Sequence, residues 1–222
     1  MLAPLPLPKA RLEALTDGIF AVTMTLLVLD LKLPEHLGGD HAEVVASLLA
    51  LLPHVDDYVI SFVVLCVFWL AHLRLLARLR DVDTAFVWLN LAFLLFTTFV
   101  PTLTALIGNN ADRPVAAILY GWNLLLILLC ETLMWRHASR HHFNDSVLDA
   151  PGVWQLMRKR FLFAAAVIVA GVACALLEIA FASRVDYASY VYLLLIAAGV
   201  VRKDDTAKAQ AVAQNAAAAK VD

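Results

Sequence analysis

A hydroxyl set among aliphatic side chains is a combination that can pass a cation without binding it tightly. Residues 15–30 hold one. On a helical wheel of about 100° per residue, Val22, Leu26 and Leu29 fall on one stripe. Leu15 and Gly18 continue the stripe towards the N-terminus, and Thr25 lies at its edge. Asp17 points away from it, by more than about 90° on the same wheel. The stripe has two readings. It is a packing seam against other helices, or several copies of the helix surround an axis and line it with aliphatic rings and one ring of hydroxyls. Aliphatic rings gate by dewetting, and hydroxyls replace part of an ion's water.

Asp17 is the stronger anomaly. A carboxylate inside a membrane span costs roughly 2.5–3.5 kcal/mol on insertion scales, so it needs partners. Arg11 lies six residues upstream, Thr16 is adjacent, and Trp69 and His72 stand near one end of a second apolar run. A hydrogen-bonded network of Arg11, Thr16, Asp17, Trp69 and His72 would satisfy the carboxylate. Trp69 can equally be an interface anchor, and His72 a satisfied structural group. Glu131 and Glu178 are two further embedded acids, read either as proton relays or as groups that pair or snorkel at the interface. The run Arg136-His137 to Arg140-His141-His142 lacks ordered metal ligands and reads as a solvated loop near anionic headgroups. Cys66, Cys130 and Cys174 each sit inside an apolar run and read as small core residues. No phosphate loop, nucleophile elbow or zinc helix is present. An enzyme is not expected.

The elements that must position these residues are membrane helices. Of 222 residues, 62 % are hydrophobic and 16 % charged, with a mean hydropathy of +0.79. A soluble domain is about half apolar and a quarter charged, so the expected class is an all-α integral membrane protein. Six spans can be drawn, at about 11–31, 57–76, 84–107, 114–135, 161–181 and 187–201, with five as the alternative. Residues 42–52 are apolar at helical spacing and are expected to lie along the interface. Residues 138–155 read as a polar loop, and 204–222 as an Ala-rich tail. Residues 1–9 carry no positive charge ahead of their apolar part and do not read as a cleavable signal peptide. If the six spans are right, 14 of the 17 Lys and Arg residues fall on one side, which puts both termini in the cytoplasm. The net charge of −2, without a long basic block, gives no reason to expect nucleic acid.

The run Arg11-x3-Leu15-Thr16-Asp17-Gly18-Ile-Phe-Ala-Val22-x2-Thr25-Leu26-x2-Leu29, continuing to Leu33-Pro34, resembles the first-helix signature of the transmembrane protein 175 family of potassium channels, whose bacterial members are also called domain of unknown function 1211 proteins. The hallmark is Arg-x3-Phe-Ser-Asp followed by an apolar helix. Trp69-x2-His72 and the six-span length add to the resemblance. It implies a homotetramer of six-span subunits in the inner (plasma) membrane, with the first helices lining a central pore. It implies constriction rings at Val22, Leu26 and Leu29, ion selectivity at Thr25, and K+ as the permeant ion with no cofactor. The chain departs from the hallmark in reading Leu15-Thr16-Asp17, and Val22 is smaller than the family's Ile or Leu.

An aliphatic ring offers an ion no ligands, so passage depends on how readily the ion sheds its water. Potassium holds its water less tightly than sodium, so such a neck favours it modestly. Thr25 would hold a partly hydrated ion beside the Val22 ring, and Asp30 at the outer mouth would raise local cation concentration or simply be an exposed helix-end acid. The alternative is a proton-coupled secondary transporter using Asp17, Glu131 and Glu178. Against it, no internal repeat is evident and the first span has no Pro before Pro34.

Overall fold

The computed structural model describes residues 9–31, 41–49, 51–79, 81–110, 114–140, 151–181 and 191. They form helices joined by short turns. α1 (Lys9–Leu26) ends in a tighter 3-10 turn over Leu27–Asp30. α2 (His41–Leu49) is short, and α3 (Leu52–Leu76), α4 (Thr84–Thr98), α5 (Val100–Asn109), α6 (Pro114–Arg140) and α7 (Pro151–Phe181) follow. Among the described residues, four stretches are long and apolar enough to cross a membrane: Lys9–Leu29, His54–Leu76, Thr84–Asn109 and Val115–Arg140. Within α7, Phe161–Leu177 is a shorter apolar helix. The expected span at 187–201 and the tail at 204–222 lie outside the described residues.

Helix starts follow local chemistry. Pro53 sits in the first turn of α3, and α6 and α7 begin on Pro114 and Pro151. Proline fits there because a first-turn N–H has no intrahelical acceptor. Asp83 caps α4: its backbone is extended, and its Oδ1 accepts from Phe86 N at 2.8 Å. The third expected span, 84–107, is divided into α4 and α5 at Phe99. Pro101 is the cause, since it cannot donate to Thr97 and its ring crowds the preceding turn. The expected polar loop at 138–155 is also corrected. α6 runs to Arg140 and α7 starts at Pro151, because a helix needs no apolar sequence once it leaves the hydrocarbon.

The core lies between α1, α3, α4, α5 and α6, with α7 packed on α6. Phe20, Leu65, Leu75, Phe86, Phe93, Leu94, Tyr120, Leu124 and Ile127 are the large side chains closed off within it. One buried polar chain ties three helices together. Tyr120 Oη donates to Ser61 Oγ (3.2 Å), and Ser61 and Thr104 share a 2.7 Å bond. Thr104 also lies 2.9 Å from the Val100 carbonyl. One consistent donor order runs Tyr120, Ser61, Thr104, Val100 carbonyl, which satisfies each hydroxyl.

At the end of the bundle holding the start of α1, the α3–α4 linker is fastened from two sides. Lys9 Nζ donates to the Leu79 carbonyl (2.8 Å). Arg78 lies over the Trp135 ring of α6, 5.5 Å from its centroid. His137 Nε2 lies 2.9 and 3.0 Å from the two Asp83 carboxylate oxygens.

Candidate functional site

α1 is buried along one stripe only. Leu12, Thr16, Phe20 and Thr23 are closed off, and Leu27 continues the stripe. The spacing of four, four, three and four is that of a helix packed on one side. The side chains of the expected pore stripe remain open: Val22 is 57 % exposed, Leu26 43 % and Leu29 71 %. Thr25 is exposed as well. An aliphatic face of this size on a helix that is otherwise packed asks for a covering, either lipid or further copies of the chain.

Thr25 is not a free hydroxyl. Its Oγ1 donates to the Val22 carbonyl at 2.8 Å. The proton is therefore committed to the helix, and the oxygen lone pairs are left for a cation or its water.

The expected network around Asp17 is only partly assembled. Trp69 Nε1 donates to Asp17 Oδ1 at 2.9 Å. Thr16 does not turn to Asp17; it is buried and accepts from Asn90 Nδ2 of α4 at 3.2 Å. The reason is angular: Thr16 and Asp17 are adjacent, so they face directions about 100° apart. His72 is corrected in the same way. Three residues beyond Trp69, it is buried and stacked on Phe93, with ring centroids 4.7 Å apart and planes at 13°. It lies beside the Asn90 amide, but among the described residues both its ring nitrogens lack a hydrogen-bond partner, as does Asn90 Oδ1. Arg11 is exposed, and among the described residues no hydrogen bond or ion pair joins it to Asp17. Asp30 closes the 3-10 turn at the far end of α1.

Against this geometry, a family model described as endosomal/lysosomal potassium channel TMEM175 matches residues 11–101. A potassium channel of Chamaesiphon minutus is 36 % identical over 140 residues, covering 62 % of this chain and 69 % of its own length. A potassium channel of Streptomyces collinus is 35 % identical over 151 residues, covering 64 % and 71 %. The chain belongs to the TMEM175 family. In three dimensions, the crystal structure of a lysosomal potassium-selective channel TMEM175 homolog from Chamaesiphon minutus is similar over 88 % of this chain and 98 % of that one, with a TM-score of 0.70 at 27 % identity. The match to the TMEM175 family model covers α1, its Asp17 and the Trp69–His72 pair, so the site lies in the part of the chain that the model recognises.

Other groups flagged in this TMEM175 chain fall elsewhere. Glu131 does not snorkel: it is 1 % exposed within α6, and among the described residues its Oε1 has no hydrogen-bond partner. The helix turns it inward, on the face that also carries buried Ile127, Leu128 and Met134. The Glu178 side chain lies outside the described residues. The cysteines are free, with Cys130 buried and Cys66 and Cys174 half-buried. Among the described residues no group of three His, Cys, Asp or Glu side chains is placed to hold a metal. Sequence reasoning missed Asn90 and Phe93. Asn90 was visible as the single amide in the apolar run 84–107, and a buried amide in a span needs a partner.

Proposed function

We propose that the chain forms a potassium-preferring cation channel: a homotetramer of six-span subunits whose α1 helices meet around the pore. The observation that carries this reading is the asymmetry of α1. Thr16, Phe20 and Thr23 face the bundle, and Asp17 is tied on one flank, while Val22, Thr25, Leu26 and Leu29 are left open in the single subunit. Membership of a family whose relatives are named potassium channels supports it, as does the fold likeness to a potassium-selective homolog.

In this arrangement Val22, Leu26 and Leu29 form successive aliphatic rings. The rings supply no ligand, so an ion crosses by giving up part of its water, and the ion that holds water more loosely crosses more easily. Thr25 contributes one oxygen per subunit towards the axis, its proton being held by the Val22 carbonyl. Asp30 stands at the outer mouth. Trp69 and Asp17 brace the helix at its inner end. α2 lies along the interface. The excess of Lys and Arg at the Lys9 end puts both termini in the cytoplasm of a plasma-membrane protein.

The test is the symmetry of the purified assembly in a membrane mimic, with the identity of the axis-lining helix, together with reversal potentials across K+ and Na+ gradients in liposomes. A fourfold assembly with Val22 on the axis and a potassium-directed reversal potential supports the reading. A monomer, or Val22 against acyl chains, overturns it.

A further inference from the structure

We propose that Asn90 of α4, acting with Phe93, is the positioning residue that sets the rotation of α1 about its own axis, and so decides which side chains α1 presents on its open face. The consequence for ion passage rests on the reading of α1 as the pore-lining helix; the rotational hold itself does not.

α1 is gripped from behind at two points one turn apart. Asn90 Nδ2 donates to Thr16 Oγ1 at 3.2 Å. Phe93 packs on Phe20, with centroids 5.8 Å apart and planes at 41°. Thr16 to Phe20 is one helical turn on α1, and Asn90 to Phe93 is about one turn on α4. The two contacts therefore lock like paired teeth. Phe93 is also held by the stacked His72 ring, and Asn90, Phe93, Thr16 and Phe20 are all closed off from solvent.

Packing of Phe20 alone does not fix a rotation, because a greasy contact is tolerant of angle. A hydrogen bond between two buried groups is not tolerant, since turning Thr16 away leaves an amide donor unpaired in the bundle. Thr16 and the mean direction of Val22, Leu26 and Leu29 stand about 110° apart on the wheel. The Trp69–Asp17 bond holds the other flank, but it lies on an exposed surface. Asn90 is thus the buried polar contact that defines the angle, and a turn of one residue step, about 100°, would exchange the stripe for its neighbours.

The experiment uses the full chain reconstituted in liposomes, with Cys66, Cys130 and Cys174 replaced by Ala. Single cysteines are placed from Ala21 to Leu26, and block of K+ flux by Ag+, a thiol-binding monovalent cation, is measured at each. With Asn90 present, block is expected at Val22→Cys and Leu26→Cys. With Asn90→Leu, the block rate at Val22→Cys falls at least tenfold, and block appears at Ala21→Cys or Thr23→Cys. Thr16→Val shifts the pattern in the same way, Thr16→Ser restores it, and adding Thr16→Val to Asn90→Leu produces no further shift. An unchanged pattern in Asn90→Leu overturns the proposal. Block that centres on positions other than Val22 with Asn90 present overturns the pore assignment, and the shift on Asn90→Leu still decides the proposal. If no position is blocked, the pore assignment falls, and a thermal-unfolding cycle of Thr16→Val with Asn90→Leu decides: coupled losses support the hold, and additive losses overturn it.

Discussion

Trp69 Nε1 reaches across from α3 to Asp17 Oδ1 at 2.9 Å, joining residues 52 positions apart at one level of the bundle. The bond gives the acid of the first span a partner, since the indole N–H is a donor that a carboxylate can use. Trp69→Phe keeps the ring and deletes the donor. It is expected to lower stability by about 1.5 kcal/mol, the low end for a bond to a charged group. Asp17→Asn, which keeps an acceptor, should lose less than Asp17→Leu. Thermal unfolding of the solubilised assembly checks the order, and equal losses in the two Asp17 variants would remove the bond from the account.

Val22 and Thr25 test the neck. In the proposed assembly Val22→Ala widens the aliphatic ring, so single-channel conductance should rise and potassium preference over sodium should weaken. Thr25→Val removes the oxygen while keeping the shape, and should reduce the preference by several-fold. Thr25→Ser retains both the oxygen and the bond to the Val22 carbonyl, and should keep it. Bi-ionic reversal potentials in planar bilayers separate these variants. A Thr25→Val channel with its preference intact would exclude Thr25 from selection.

The open face of α1 was legible because a helix packed on one side writes its period into the sequence, and Val22, Leu26 and Leu29 are the side chains left uncovered in the subunit. The Trp69–Asp17 pair was legible as a donor and an acceptor each in need of a partner. The fate of Thr16 and His72 was not. Which of several buried polar groups takes which partner depends on the angle between helices, and single-chain periodicity carries no information about that angle. Asn90 marked itself only as an amide in an apolar run. The break at Phe99 was available from Pro101, because a proline inside a span removes a backbone bond whatever the surroundings. The inward turn of Glu131 was hidden, since α6 is apolar on every side and its pattern does not say which face is buried.

Gly108 of α5 faces the first turns of α3. A Cβ at that position would lie 2.8 Å from His54 Nδ1 and 3.5 Å from Asp57 Oδ2. Gly108→Ala should therefore displace the His54 ring and cost about 1 kcal/mol or more, as overpacking does. In a His54→Ala background the clash is gone, and the same change should become neutral or stabilising by up to about 1 kcal/mol, the helix propensity of Ala over Gly. A double-mutant cycle in thermal unfolding reads the change of sign. Equal effects in the two backgrounds would show that His54 is not what fills the space.

Glu131 separates a channel from a carrier that loads protons on its acids. Its Oε1 has no hydrogen-bond partner, so the amide of Glu131→Gln forfeits no contact at that atom and matches the carboxyl in shape. Stability should change by less than about 1 kcal/mol, the scale of a single net hydrogen bond. Potassium flux down its gradient should persist without a pH gradient. Glu131→Lys forces a charge into a site that is 1 % exposed and should prevent assembly, because a buried unpaired charge costs several kcal/mol. A proton-coupled carrier would behave otherwise: Glu131→Gln would fold normally and abolish concentrative flux driven by a pH gradient. Parallel measurements of K+ flux and internal pH in liposomes decide between the two.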